Sequence, residues 1–311
     1  MNQSVAHKKF SLKNKLRAYL ELMRPANIIT AFADIIAGFT AAGGIIHWNV
    51  YPFQPEPMGL GWLMLATFGL YGGGVVFNDF FDADLDAEER PERAIPSGRA
   101  SKAGAALLGL ILYIIGVAAA FQVQFMSGLI ALLVAFLTIV YDEWAKHSTF
   151  LGPLFMGLCR GGNLLLGVSI VPLALTQVWY LAFIPIIFIA SITLVSQGEV
   201  HGGTRITGFS ALGLISTVTI GLIILAFRPD YSIVTSLPFT ILFGVMVLPP
   251  FYKAAKTPKS GLIKEAIHRG VLSLILLNAA ITAGFAGIWL GAFVAVLLPI
   301  SMSVSKLFSV T

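Results

Sequence analysis

Residues 78–98 read Asn78-Asp-Phe-Phe-Asp-Ala-Asp-Leu-Asp-Ala-Glu-Glu-Arg-Pro-Glu-Arg-Ala-Ile-Pro-Ser-Gly98, and Asp79, Asp82, Asp84, Asp86, Glu88, Glu89 and Glu92 within them are nearly half of the 15 acidic residues in the 311-residue chain. The residues just before, 59–77, are apolar and about as long as a bilayer-spanning helix must be. The acids therefore stand at the mouth of a membrane helix, where water meets hydrocarbon. Continued helically, Asn78, Asp82 and Asp86 fall at i, i+4 and i+8, with Asp79 on the adjoining edge. One face is expected to carry three carboxylates and an amide.

Like charges at that spacing repel and are tolerated when a cation neutralises them. The donors are hard oxygens, which suits magnesium, calcium or manganese better than zinc or copper. An EF-hand is excluded although Asp82-x-Asp84-x-Asp86 opens like one, because Ala87 stands at the turn-glycine position and Arg93 at the closing glutamate. Magnesium, which keeps waters and bridges carboxylates to phosphates, fits best. Arg90, Arg93, Arg99 and Lys102 follow the acids. Acid to hold the metal and base to hold phosphate is the pairing that transfer from a diphosphate requires. The competing reading is an acidic solvated loop between two membrane helices.

Composition sets the class. At 57% hydrophobic and 11% charged residues, the chain is a polytopic membrane protein with the lipid bilayer as its first partner. The single cysteine, Cys159, allows no internal disulfide and no thiolate metal cluster. A net charge of +5 does not imply nucleic acid, because the basic residues flank hydrophobic spans.

Residues 8–22 alternate Lys and Arg with Phe, Leu and Tyr, so residues 1–25 are expected to form a basic amphipathic cytoplasmic segment on the membrane surface. Apolar runs follow at 26–46, 59–77, 103–121, 123–141, 151–173, 178–196, 207–228, 233–252 and 270–287. A last run from Ile288 either completes the ninth helix or forms a tenth. The fold expected is an all-α bundle of about nine transmembrane helices around a central cavity, one domain over 26–311. With the N-terminus in the cytoplasm, all Lys and Arg except Arg160 and Arg228 fall in cytoplasmic segments. Every motif of interest then shares the cytoplasmic face, and a multi-pass protein of the cell inner membrane is expected.

Polar residues within spans are site candidates, since charge in hydrocarbon is costly. Arg24 and Asn27 open the first span, with Asp34 two turns deeper; Tyr141 ends the fourth, and Lys146 follows in the loop. Arg160 and Asn163 lie one turn apart among glycines. Arg160 is read equally as an intramembrane partner of Asp34 and as a substrate contact. In the third cytoplasmic loop, Glu199 and His201 are candidate metal or proton-transfer groups beside Gly198, Gly202 and Gly203.

The pattern Asn78-Asp79-x-x-Asp82-x-x-x-Asp86, with Arg93 and Ile95-Pro-Ser-Gly98 after it, resembles the first aspartate-rich motif of the UbiA superfamily of intramembrane prenyltransferases. Arg24-Pro-x-Asn27, Tyr141 with Lys146, and a polar loop after the sixth span support the likeness. In the second loop motif the chain departs: Gln197-Gly-Glu-Val-His-Gly-Gly203 contains no aspartate, and Glu199 is its one acid. That loop, together with Met156-Gly-Leu-Cys-Arg-Gly-Gly-Asn163, is similar to the EboC-like branch, classed as UbiA-like.

The resemblance implies a Mg2+-dependent transferase. An isoprenyl diphosphate donor would be gripped through Asn78, Asp79, Asp82, Asp86 and Glu199, with Arg93, Lys146 and Arg160 neutralising the rest of its charge. An unidentified acceptor near Arg24, Asn27, Asp34 or His201 would then receive the prenyl group. An aromatic ring, a polar cyclic alcohol and a lipid headgroup all stay open as acceptors. The alternative is a non-catalytic carrier or transporter of a prenyl or lipid-like molecule on the same scaffold.

Overall fold

A computed structural model describes residues 11–44, 57–200 and 202–308. His201 lies outside the described residues. The chain enters through α1 (Leu12–Leu22), whose N-cap Ser11 accepts a hydrogen bond from the Asn14 amide at 3.3 Å. Leu12, Leu16 and Leu20 recur every fourth residue on its exposed face while Ala18 and Leu22 are buried. At Arg24 the backbone takes φ +47, left-handed and rare for a residue with a Cβ, and Pro25 opens α2 (Pro25–Ala41) at the position where its fixed φ suits a helix start.

After α2 come α3 (Pro57–Phe81) and, past a turn at Asp82, the short α4 (Ala83–Glu89). Ser101 and Thr204 cap α5 (Lys102–Val123) and α10 (Arg205–Ile224); between these lie α6 (Phe125–Glu143), α7 (Leu151–Val168), α8 (Pro172–Val178) and α9 (Phe183–Ser196). The remaining helices are α11 (Ile233–Lys256), α12 (Ser260–Ala286), α13 (Ile288–Ala295) and α14 (Leu297–Ser305). Among the described residues ten stretches are long and apolar enough to cross a membrane. Nine correspond to the expected runs. The tenth, Ile288–Ser305, is separate from α12 because Gly287 breaks the helix at φ +91.

Burial sorts the helices into layers. In α12, 83% of the most apolar stretch is buried, against 28% in α6, α10 and α11, so α12 is an inner helix and those three are outer ones. Helix α2 is inner as well, buried at fourteen of its seventeen positions. It can pack against α7 because Gly38 and Gly167 face the opposing backbone: a Cβ on either would collide with the Leu164 or Ile35 carbonyl. That close crossing brings Asp34 of α2 opposite Arg160 and Asn163 of α7. Around it, α3, α6, α7, α9 and α12 leave a cavity.

Candidate active site

The cavity measures about 340 Å³. Its walls are apolar, formed by Leu70, Val75, Val134, Ile189, Ile192 and Val271, whereas both ends are polar. Arg24, Asn78, Asp82, Arg90, Arg93, Tyr141, Asp142, Lys146 and Glu199 gather at one end. Arg160 and Asn163 lie deeper, and Asn27 lines the wall between. On α2, Asp34 follows Arg24 by ten residues, about 15 Å of helix rise.

At the mouth, the four polar groups expected on one helical face divide into two sets. Helix α3 stops at Phe81, and the turn at Asp82 swings α4 aside. Asn78 and Asp82 face the cavity. Asn78 donates through Nδ2 to Asp142 Oδ1 at 2.9 Å, and Lys146 Nζ pairs with Asp82 Oδ1 at 2.6 Å. Asp79 and Asp86 stand behind, bridged by Arg93, whose Nη1 lies 3.4 Å from Asp79 and 2.8 Å from Asp86. Arg24 adds a second cation on Asp79 at 2.6 Å. Burial pushes the Asp86 carboxyl above the usual carboxylate range, against the pull of Arg93. Among the described residues no three acid, histidine or cysteine side chains converge as a ready cage, since each mouth acid is turned towards a base or an amide. The donors remain hard oxygens, the chemistry magnesium accepts.

The third loop closes over this mouth. Gly202 at φ +89 and the bond from the Gly203 amide to the Pro258 carbonyl (3.1 Å) fold it back, and Ser260 Oγ holds the Glu199 carbonyl at 2.5 Å. The Glu199 carboxylate then lies 3.7 Å from Arg90, which joins the first and third loops.

The deep end is a different construction. Arg160 Nε is 2.6 Å from Asp34 Oδ2, with the two side chains 5% and 0% exposed. Asp34 also accepts from Asn163 Nδ2 at 3.0 Å and Asn278 Nδ2 at 2.6 Å. Arg160 Nη2 donates to Thr30 at 2.8 Å, Thr67 donates to Asn163 Oδ1 at 2.7 Å, and the guanidinium lies over the Tyr71 ring, 5.4 Å from its centroid. Arg160 thus pairs with Asp34 and also lines the cavity.

Of the candidates, Arg24, Asn27, Asn78, Asp82, Arg93, Tyr141, Lys146, Arg160, Asn163 and Glu199 line one cavity, while Asp34, Asp79 and Asp86 support it from behind. Sequence reasoning passed over Asp142, though it follows Tyr141 directly; a carboxylate closing an apolar span was the available signal. Asn278 was also missed, with a lone amide in the ninth span as its only trace.

A model described as the UbiA prenyltransferase family matches residues 35–260. Digeranylgeranylglyceryl phosphate synthase of Methanosarcina mazei is 35% identical over 169 residues, covering 50% of this chain and 55% of that protein. The counterpart in Methanopyrus kandleri is 30% identical over 164 residues, covering 53% and 57%. The chain spans about half the length of these curated relatives it matches. Among solved structures, a UbiA homolog from Aeropyrum pernix superposes with a TM-score of 0.64 at 17% identity, over 81% of this chain and 96% of that one. A UbiA homolog from Archaeoglobus fulgidus, bound to GPP and Mg2+, gives 0.61 at 14% identity, over 85% and 99%. At these identities the structural likeness is one of fold.

Proposed function

This chain belongs to the UbiA prenyltransferase family, and we propose that it is an intramembrane enzyme moving an isoprenyl group from a diphosphate donor to an acceptor, with Mg2+ required. The observation that carries the reading is the mouth: three acids and three bases in mutual ion pairs at the polar rim of an apolar cavity. An incoming diphosphate would draw the cations to its oxygens and release the carboxylates. Mg2+ held by Asn78, Asp79, Asp82, Asp86 and Glu199 would neutralise the diphosphate and improve it as a leaving group.

Arg24, Arg93 and Lys146 would hold the phosphate oxygens as charge builds on them. The apolar wall would take the prenyl chain and keep water from the allylic carbon. When the C–O bond breaks, the diphosphate leaves with the electron pair, and the Tyr141 ring offers an electron-rich face to the allylic cation. The acceptor's lone pair or ring carbon forms the new bond and the acceptor loses a proton. We also place the mouth, the N-terminal segment 1–25 and the loops on the cytoplasmic side of the inner membrane, with 26–311 as the transmembrane domain; the distribution of Lys and Arg supports this.

The test is retention of labelled geranylgeranyl diphosphate by the protein in lipid, with and without Mg2+, together with pyrophosphate release. Retention that needs Mg2+ and falls about 100-fold in Asp82→Ala is expected. Retention indifferent to both sinks the proposal. A second reading, a carrier on this scaffold, is favoured by one feature: the third loop offers only Glu199 as an acid, and Arg90 already engages it. Mg2+-dependent retention without pyrophosphate release, on addition of membrane extract as the acceptor source, would select the carrier.

A further inference from the structure

The deep end of the cavity is polar, charged and net neutral, which is unusual for a pocket meant to hold only hydrocarbon. Arg160 reaches it with its charge balanced by Asp34 at 2.6 Å, in a pair whose side chains are 5% and 0% exposed. Arg160 Nε lies 2.6 Å from Asp34 as an ion pair without forming a hydrogen bond, and only Nη2 donates, to Thr30, so Nη1 retains its hydrogens for whatever meets Arg160 in the cavity. Tyr71, under the guanidinium, lines the same space, and its hydroxyl makes no hydrogen bond to another described residue. Asn163 is saturated by Thr67, Ala31 and Asp34, so it positions the pair rather than offering a new bond.

We infer that this floor is the seat of the acceptor, and that it takes a small uncharged molecule through a hydroxyl or carbonyl oxygen, bound by Arg160 with Tyr71 beside it. A neutral oxygen receives a strong charge-assisted bond there. An anion would add one uncompensated negative charge to a buried, balanced pair, which is costly in a low-dielectric site. A prenyl tail would leave the guanidinium hydrogens without a partner. The two polar ends thus divide the work, the mouth taking the diphosphate and the floor the acceptor. This assignment of substrate class rests on the transferase reading; the floor's selectivity can be measured apart from it.

The probes are cyclohexanecarboxamide and cyclohexanecarboxylate, nearly the same shape and different in charge. Labelled probe is equilibrated with the full chain in lipid nanodiscs, with empty nanodiscs as background, in the presence of Mg2+ and geranylgeranyl diphosphate, whose own retention is followed in parallel. Wild type is expected to hold the amide at least about tenfold more tightly than the carboxylate. Asp34→Asn, which leaves Arg160 uncompensated, is expected to reverse that preference. Tyr71→Phe, which removes one hydroxyl and keeps the ring, is expected to weaken the amide several-fold with diphosphate retention unchanged.

If Asp34→Asn does not fold, the wild-type preference and Tyr71→Phe still decide. A wild type that prefers the carboxylate overturns the inference. So does amide binding indifferent to Tyr71→Phe, or, where Asp34→Asn folds, a preference that does not move with it; the pair would then be a structural tie. Failure of diphosphate retention with the amide preference intact would sink the transferase reading and leave the neutral floor standing.

Discussion

The cavity contains arginine–aspartate pairs at both ends, and the two sets are built in opposite ways. At the mouth, Arg24, Arg93 and Lys146 share Asp79, Asp86 and Asp82 in pairs whose side chains stay between 6% and 21% exposed, at helix ends and in the segments that join them. At the floor, Asp34 and Arg160 are almost wholly buried on rigid helices, with Asn163 and Asn278 donating to Asp34 and Thr30 accepting from Arg160. A pair with some access to water and several alternative partners can exchange them when a ligand arrives. One that is buried and braced by neighbouring amides cannot, because every rearrangement strands a charge. The mouth is therefore suited to bind and release, and the floor to hold a fixed shape.

The sharpest way to break this contrast is to remove one partner at the floor. Arg160→Leu leaves the Asp34 carboxylate buried beside two amides and should cost about 3–5 kcal/mol of stability, whereas the double variant Asp34→Leu/Arg160→Leu should recover much of that loss. Thermal unfolding in a single detergent checks both. If the single and double variants melt together, the floor pair is no more rigidly coupled than a surface one.

The next largest effect is expected at Arg93, which bridges Asp79 and Asp86. Arg93→Ala leaves two neighbouring carboxylates without their shared cation and should destabilise by about 1–3 kcal/mol. Mg2+ that binds the folded chain through those acids should restore part of this, raising the Tm of the variant more than that of wild type. An equal response in both would mean that the mouth does not exchange partners in the way its exposure suggests.

Much of this architecture was readable in the sequence, for identifiable reasons. The i, i+4 spacing of Asn78 and Asp82 is local, and both face the cavity. The split of Asp79 and Asp86 from them was not readable, because it depends on where α3 ends, and the run Phe80-Phe81-Asp82 carries no breaker. Arg160 announced itself as a charge in hydrocarbon. Its surroundings did not: Thr30 and Asn278 come from helices 130 residues before it and over 100 after, brought together by the glycine-lined crossing of α2 with α7 and by α12 beside α2. Long-range packing decided the floor, and short-range periodicity decided most of the mouth.

A smaller effect is expected from Glu199→Gln. It keeps the loop's shape and the Ser260 bond to the backbone carbonyl, and removes only the 3.7 Å attraction to Arg90. Stability should change by less than about 1 kcal/mol. Mg2+-dependent diphosphate retention should weaken several-fold at most if the mouth acids of the first loop carry most of the grip. A loss as large as that of Asp82→Ala would make the third loop an equal partner and redraw the mouth around it.

The smallest prediction extends the comparison to a pair outside the cavity altogether. Arg228 and Asp230 meet at 2.6 Å in the short connection between α10 and α11, with the Asp230 side chain 51% exposed. The hydrogen bond from Arg228 holds the Asp230 carboxyl below its ordinary value. A depressed folded-state pKa contributes stability that is present above the unfolded carboxylate value, about 4, and is lost as pH falls through the folded one. Melting followed from pH 6 to pH 3 should therefore show Asp230→Asn converging on wild type at the acid end. The gap above pH 4 should be less than about 1 kcal/mol, because solvent screens the pair. A gap as large as that of Arg160→Leu would mean that burial is not what separates the floor from the rest of the molecule's ion pairs.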